Sequence, residues 1–277
     1  MKNTLYITDL DGTLLNRRDR LSDFTVHTLN RLLDKGMLFT FATARSMLSA
    51  RVVTQGLSPR FPWIVYNGAF IIDGGTGEPV FQTFFTQEQT EYLRAEAGLW
   101  GFFPLVYGIV EGKERVSFYE NQAFLHPGMA YYLECRQNDR RMRPVRTQDE
   151  LYKGRVFYMT FIHQQEALAP LWGRVKDLCW LNGTFQQELY RQEYWLELMP
   201  RQATKAQGAK RLKESLGCSR IVAFGDAMND LPLFAAADES YAVANAKEEL
   251  KAAASAVIGS NEEDGVARFL LERLGEP

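Results

Sequence analysis

The chain has 277 residues, 46% of them apolar and 24% charged, and 32 Lys and Arg against 34 Asp and Glu give a net charge of −2. At about 150 residues per domain this is just under two domains, enough to bury a large core without staples. The composition excludes a disordered chain, and the near balance of charge gives no global attraction to nucleic acid or to an anionic membrane.

In chain order, residues 5–8 are an apolar run that predicts a short buried strand ending at Asp9. Ser22 is placed to cap a helix with the stripe Val26, Leu29, Leu32 and Leu33, and Gly36 to stop it. Residues 37–42 predict the next strand, ending at Thr43; residues 46–55 a helix stopped by Gly56; residues 63–66 a third strand. Strand–helix–strand alternation with short connections points to a parallel sheet. Residues 69–73 and 79–85 flank Gly74-Gly75-Thr76-Gly77 as a hairpin.

From there to about residue 187 the chain is rich in aromatics and loses this rhythm. Helices are expected near 86–100 and 164–181, and strands near 105–109, 115–119, 156–162 and 184–188. The alternation returns with a strand at 195–198, a helix at 204–216 stopped by Gly217, and an apolar strand at 221–224 ending at Gly225-Asp226. A helix at 229–236 and elements at 241–243, 247–253, 256–258 and 262–271 follow. The expected architecture is α/β: a Rossmann-like parallel-sheet core from 1–83 and 190–277, interrupted by an inserted α+β domain over 84–189.

The longest uncharged stretch, residues 97–110, has 14 residues and contains Gly101, Pro104 and Gly108. A membrane-spanning helix needs about 20 apolar residues, so no membrane partner is expected. Leu5-Tyr6-Ile7 is too short for a signal-peptide core. The three cysteines (Cys135, Cys179, Cys218) and three histidines (His27, His126, His163) show no metal-ligand spacing, which points to a reduced cytoplasmic protein.

Four signals carry chemistry. In Thr8-Asp9-Leu10-Asp11-Gly12-Thr13 two acids two positions apart follow a strand and share a side of the chain. Close carboxylates repel, which favours a cation between them, and one can attack phosphorus while its neighbour handles protons. The same residues also suit a polar loop with an Asx-turn. In Phe224-Gly225-Asp226-Ala227-Met228-Asn229-Asp230, three oxygen-bearing side chains lie within five residues, a set that suits magnesium, although Asn229 also suits a helix cap. Thr43, with Ala44-Arg45 behind it, offers a hydroxyl and N–H groups at a helix start, for a phosphate or for capping alone. Lys205 in the first turn of a helix opposes the dipole, a conflict an anion would relieve. Asp9, Thr43 and Asp226 each stand where an apolar strand ends, and in a parallel sheet those ends form the ligand-binding edge. The chemistry the four fit together is phosphoryl transfer.

With these motifs in this order, the chain resembles the haloacid dehalogenase (HAD) superfamily of phosphohydrolases over nearly its whole length. Asp9-Leu10-Asp11-Gly12-Thr13 matches that family's first motif, Thr43 the second, Lys205 the third and Gly225-Asp226-Ala227-Met228-Asn229-Asp230 the fourth. The long insertion, with Tyr66-Asn67-Gly68-Ala69, Val243-Ala244-Asn245-Ala246 and Asp264-Gly265-Val266, is similar to the Cof-type subfamily and its type IIB cap. The resemblance implies a phosphatase of small phosphorylated metabolites, sugar phosphates among them, with Mg2+ as cofactor and no nucleic-acid partner, as a monomer or weak dimer. It implies Asp9 as nucleophile and Asp11 as acid and base. Thr43, Ala44 and Lys205 would hold phosphate. Asp9, the Asp11 carbonyl and Asp226 would hold the metal, with Asn229 and Asp230 in support and Arg45 and Asn67 at the site rim. Ala44 departs from the Gly that many Cof-type members carry, which implies at most some crowding near Thr43. The cap would close over the site and select the leaving group.

Within the insertion, Trp100, Phe102, Phe103, Tyr131 and Tyr132 are expected as core, and Arg140, Arg141, Arg143 and Arg146 as a solvated turn around Pro144. A phosphomutase of the same fold and a non-enzymatic phospho-receiver are the rival readings.

Overall fold

The structure, a computed structural model, describes residues 3–58, 60–121, 125–187 and 191–275. The chain forms two compact units, Met1–Gln82 with Ala203–Pro277, and Thr83–Gln202.

The first unit begins with β1 (Thr4–Thr8), α1 (Asp23–Asp34), β2 (Leu38–Phe41) and α2 (Met47–Val53). The Ser22 and Ser46 side chains accept from Thr25 N and Ser49 N and so start the two helices. α1 buries Thr25, Thr28, Leu29 and Leu32, a face rotated slightly from the expected stripe, since Val26 and Leu33 are only half-buried. β3 (Trp63–Val65), β4 (Phe70–Ile72) and β5 (Pro79–Gln82) form a three-stranded antiparallel sheet. The expected hairpin is therefore β4–β5, with Asp73 Oδ1 accepting from Gly75 N and Thr76 N at 3.0 and 2.7 Å. β3 is joined to the parallel strands by an isolated bridge between Ala42 and Ile64 and by packing of Trp63 on Phe41 of β2.

The second unit contains α3 (Gln87–Leu99), β6 (Leu105–Val110), β7 (Lys113–Tyr119), α4 (Pro127–Glu134), β8 (Met142–Val145), α5 (Gln148–Leu151), β9 (Arg155–His163), α6 (Gln165–Val175), β10 (Leu181–Gln187) and β11 (Tyr194–Pro200). Its six-stranded sheet has the order β10-β11-β9-β6-β7-β8 and is antiparallel except at β7–β8. Leu93 and Ala97 of α3 and Leu168 and Leu171 of α6 pack with Val106, Met159, Phe161, Leu196 and Leu198 of the strands.

Several expectations change here. The strand expected at 195–198 pairs with β9 and β10, so the chain returns to the first unit at Ala203 and not at residue 190. The physical reason is alternation: Leu196 and Leu198 are buried while Trp195 and Glu197 are only half-buried, the pattern of a one-sided antiparallel strand rather than a parallel one covered on both faces. The helix expected to reach residue 181 stops at Val175, and Leu181 opens β10; Glu188, the expected end of that strand, lies outside the described residues. Residues 142–145 are an edge strand, where Pro144 costs no ladder bond, rather than a turn. Its arginines are tied down: buried Arg141 pairs with Glu114 and Asp139 at 2.7 and 2.6 Å, Arg143 donates to Ser117 Oγ at 3.1 Å, and Arg146 pairs with Glu120. Phe102 and Phe103 do pack against the core, but Trp100 and Tyr131 are exposed by 44% and 49%.

Back in the first unit come α7 (Lys205–Ser215), β12 (Arg220–Gly225), α8 (Leu231–Ala236), β13 (Glu239–Val243), α9 (Glu248–Ala253), β14 (Ala256–Ile258) and α10 (Gly265–Arg273). A short 3-10 turn at Met228–Asp230 precedes α8, so the helix expected from Asn229 begins as a tighter turn. The sheet is parallel throughout, in the order β14-β13-β12-β1-β2. Leu5, Ile7, Phe39, Phe41, Val222 and Phe224 are fully buried on it, as expected for strands covered on both faces. Thr8 is in register with Phe41 on one side and Phe224 on the other, which brings the three strand ends together. Among the described residues no helix is long and apolar enough to cross a membrane.

Candidate active site

The central strand β1 hands the chain to Asp9, whose N–H donates to Phe224 O at 3.0 Å, and Ala42 N donates to Thr8 O at 2.8 Å. These bonds fix Asp9 between the ends of β2 and β12. Its carboxylate is buried, and Oδ1 accepts from Leu10 N at 2.7 Å and lies 2.9 Å from Lys205 Nζ. Lys205, the first residue of α7, is also buried and reaches Asp230 Oδ1 at 2.8 Å. The anion that a lysine at a helix start calls for is thus supplied twice. Burial pulls down the proton affinity of Lys205, but Asp230 and Asp9 together outweigh it and hold the ammonium above the ordinary lysine range. Burial pushes Asp9 well above the carboxylate range, opposed by Lys205 and reinforced by Asp230.

Asp226 follows β12 and is half-buried. Its Oδ1 accepts from Thr13 Oγ1 at 2.8 Å, and burial pushes its carboxyl up to about 6 despite that bond. Gly12 (φ +72°) passes so close that a Cβ there would stand 2.4 Å from Asp226 Oδ2, so only glycine fits. Asn245 Nδ2 donates to Gly12 O at 2.7 Å and its Oδ1 accepts from Asn261 N at 3.0 Å, clamping the same loop from the far side.

The carboxylates of Asp9, Asp226 and Asp230 offer oxygens within 4.8 Å of one another. All-oxygen donors of this charge fit a hard divalent cation. The three are not equivalent. Asp230 is fully buried and already engaged: Oδ1 by Lys205, Oδ2 by Asp226 N and Ala227 N at 3.1 and 3.2 Å. Among the described residues, the contacts of Asp9 fall on Oδ1 and the hydrogen bond to Asp226 on Oδ1, which leaves Oδ2 of each for an ion. The donor set therefore fits magnesium through Asp9 and Asp226 better than through Asp230.

Thr43 is buried at the end of β2; its N–H donates to Ile64 O at 2.9 Å and its Oγ1 accepts from Arg45 N at 3.1 Å. Ala44 is exposed between them. Asp11 lies outside the carboxylate group, and its side chain is held by Arg45. Asn229 is exposed on its turn. Asn67 is buried, with φ +53°, and its N–H donates to Thr43 O at 2.9 Å.

Four contributors were not legible as such. Tyr66 takes φ +51°, a costly conformation for an aromatic residue, and its N–H donates to Arg45 O at 3.0 Å. Gly68 (φ +94°) abuts the α7 cap so closely that a Cβ would lie 2.2 Å from Thr204 O. Together they tie the Thr43–Arg45 loop to the helix that carries Lys205. Thr13 and Asn245 brace the acid loop. The sequence held a signal for all four in the motifs quoted around them, but periodicity assigns them no task.

The class follows from comparison with known proteins. A family model described as haloacid dehalogenase-like hydrolase matches residues 6–270, and the chain belongs to that family. It is a phosphatase of this family with the subclass IIB fold. The chain is 25% identical over 278 residues to the 5-amino-6-(5-phospho-D-ribitylamino)uracil phosphatase YitU of Bacillus subtilis (strain 168), covering 98% of this chain and 97% of that one. It is 28% identical over 279 residues to the HMP-PP phosphatase of Cronobacter sakazakii, covering 97% and 95%. The solved structure of the HAD subclass IIB sugar phosphatase BT4131 shares its fold, with a TM-score of 0.72 at 21% identity over 98% of this chain and 99% of that one.

Proposed function

We propose that the chain is a Mg2+-dependent phosphatase that hydrolyses small phosphorylated metabolites in the cytoplasm, sugar phosphates among them, through an aspartyl-phosphate on Asp9. The observation that carries this reading is the buried Asp9 carboxylate at the end of the central strand, with Oδ1 held by Leu10 N and Lys205. The Asp9 carboxylate attacks phosphorus, and the bond from phosphorus to the leaving oxygen breaks. Asp11 passes a proton to that oxygen, so an alcohol departs. Asp11 then takes a proton from a water that attacks phosphorus, the bond to Asp9 breaks, and phosphate leaves. Lys205 and the Thr43 hydroxyl and N–H groups around Ala44 hold the phosphoryl oxygens. Asp9, Asp226 and the Asp11 carbonyl hold Mg2+, which supplies positive charge against the phosphoryl oxygens when bound. Asp230 anchors Lys205 and the backbone at Asp226 and Ala227, Asn67 holds the Thr43 loop, and Asn229 supports the metal or Lys205. Selection of the leaving group is assigned to the second unit.

The substrate class draws support from the phospho-ribityl group in the name of the Bacillus relative. Membership of a hydrolase family over residues 6–270 sets aside the phospho-receiver reading. The test is phosphate release from sugar phosphates, nucleotides and cofactor phosphates, with Mg2+, with chelator, and with Asp9→Asn. Release that needs Mg2+ and Asp9 supports the proposal. Transfer of the phosphoryl group to an acceptor sugar, with no phosphate released, supports the phosphomutase instead.

A further inference from the structure

Arg45 is held at several points. Its N–H donates to Thr43 Oγ1 at 3.1 Å, its carbonyl accepts from Tyr66 N at 3.0 Å, and Nη1 donates to Ser49 Oγ of α2 at 3.2 Å. The far end of its guanidinium lies against Asp11. Nε is 3.0 and 2.9 Å from Oδ1 and Oδ2, and Nη2 is 2.5 Å from Oδ1 and 3.4 Å from Asp19 Oδ1. The order of exposure is informative: the arginine side chain is 21% exposed and the acid 46%. The acid is the outward, less constrained partner, and among the described residues its carboxylate takes hydrogen bonds from Arg45 alone.

We infer that Arg45 is the positioning residue for Asp11, setting the direction in which that carboxyl exchanges its proton. The contacts are lopsided: Oδ1 meets both Nε and Nη2, whereas Oδ2 meets only the shared Nε. Arg45 therefore keeps Oδ1, and Oδ2 gives the proton to the leaving oxygen and takes one from water. A planar fork fixes both the place and the tilt of a carboxylate, which a lysine ammonium does not. The inference rests on the phosphatase reading, in which Asp11 is the acid and base.

The experiment is a double-mutant cycle on two classes of ester: Arg45→Ala and Arg45→Lys, each with Asp11 intact and with Asp11→Asn. The substrates are p-nitrophenyl phosphate, whose leaving group departs without a proton, and the fastest alkyl phosphate of the panel above. kcat/KM reports the steps up to loss of the leaving group. General acid catalysis is worth about 10²–10⁴-fold, and misdirecting the acid should forfeit part of it. Arg45→Ala should lower kcat/KM on the alkyl ester by about 10–100-fold, and on the aryl ester by less than about 3-fold. Arg45→Lys should fall between on the alkyl ester, and neither should cost more once Asp11 is Asn. Equal losses on both esters, or the same loss in the Asp11→Asn background, would overturn the inference and make Arg45 a direct phosphate ligand. Full alkyl-ester activity in Asp11→Asn alone would instead strike the acid–base reading, and the inference with it.

Discussion

Replacing Lys205 with Met removes one positive charge from among acids and keeps most of the side-chain length. In the native protein Nζ lies 2.9 Å from Asp9 and 2.8 Å from Asp230, with side-chain exposures of 2%, 7% and 0%. Breaking a buried pair by deleting one partner costs about 3–5 kcal/mol, because the remaining charge stays buried without compensation. Here two carboxylates are left, with Asp226 beside them. For a protein of this size a kilocalorie moves the melting point by about 2–4 °C, so a fall of roughly 6–20 °C at pH 7 is expected. The assay is thermal unfolding followed by circular dichroism, in chelator so that no cation substitutes for the ammonium. The sign with pH is fixed. In the variant Asp9 loses the ammonium that opposes its raised proton affinity and binds a proton more readily, so the deficit should shrink as pH falls from 7 to 5. Lys205→Met with Asp230→Asn should recover part of the loss, since the amide oxygen can still accept from Asp226 N and Ala227 N. A shift below about 2 °C at pH 7, or one independent of pH, would refute the reasoning and reduce Lys205 to a packing residue.

Gly68→Ala places a Cβ 2.2 Å from Thr204 O in a left-handed backbone. It should cost about 1–3 kcal/mol in denaturant unfolding and lower kcat by displacing Lys205, and native activity and stability together would contradict the close approach. Because the Asp226 carboxyl is pushed up to about 6, protons should compete with the cation below that pH. Mg2+ affinity measured by calorimetry should be flat from pH 8 to 7 and fall steadily from 6 to 5; affinity unchanged at pH 5 would count against Asp226 as a ligand. Glu239 is bound by Arg273 and Tyr241, which pull its carboxyl down to about 2 from the ordinary 4.5. Its stabilisation is present above about 4.5 and lost as pH falls toward 2, so Glu239→Gln should cost about 1 kcal/mol at pH 7 and nearly nothing at pH 2. Melting curves at the two pH values check this, and an equal cost at both would refute it.

The parts of the molecule that the sequence revealed share a physical cause. β1 and β12 are apolar runs that give way abruptly to an acid, and the near-continuous apolar stretch of a strand covered on both faces makes such a break visible. The convergence of Asp9, Thr43 and Asp226 followed from that alone, while Lys205 was legible through its conflict with the helix dipole. Trp195 to Leu198 misled because four largely apolar residues look alike in either kind of sheet, and the half-buried Glu197 was the clue to the antiparallel one. α4 and β8 were not expected: Pro144 suggested a turn but stands on a sheet edge, and Pro127 opens a short helix with little periodicity to mark it. The fork between Arg45 and Asp11 joins positions 34 residues apart, and the left-handed Tyr66 breaks a local rule. Neither leaves a periodic trace.

The central claim is that phosphate passes through Asp9, and the most direct measurement is to trap it there. The protein is mixed with Mg2+ and the fastest substrate of the panel, quenched within the first turnovers, reduced with borohydride and mapped by mass spectrometry. An acyl phosphate is reduced to the alcohol, so the account expects homoserine at position 9, only when substrate is present, and none in Asp9→Asn, which should also release no phosphate. Turnover that leaves position 9 unmodified, or an Asp9→Asn protein that still releases phosphate, would contradict it.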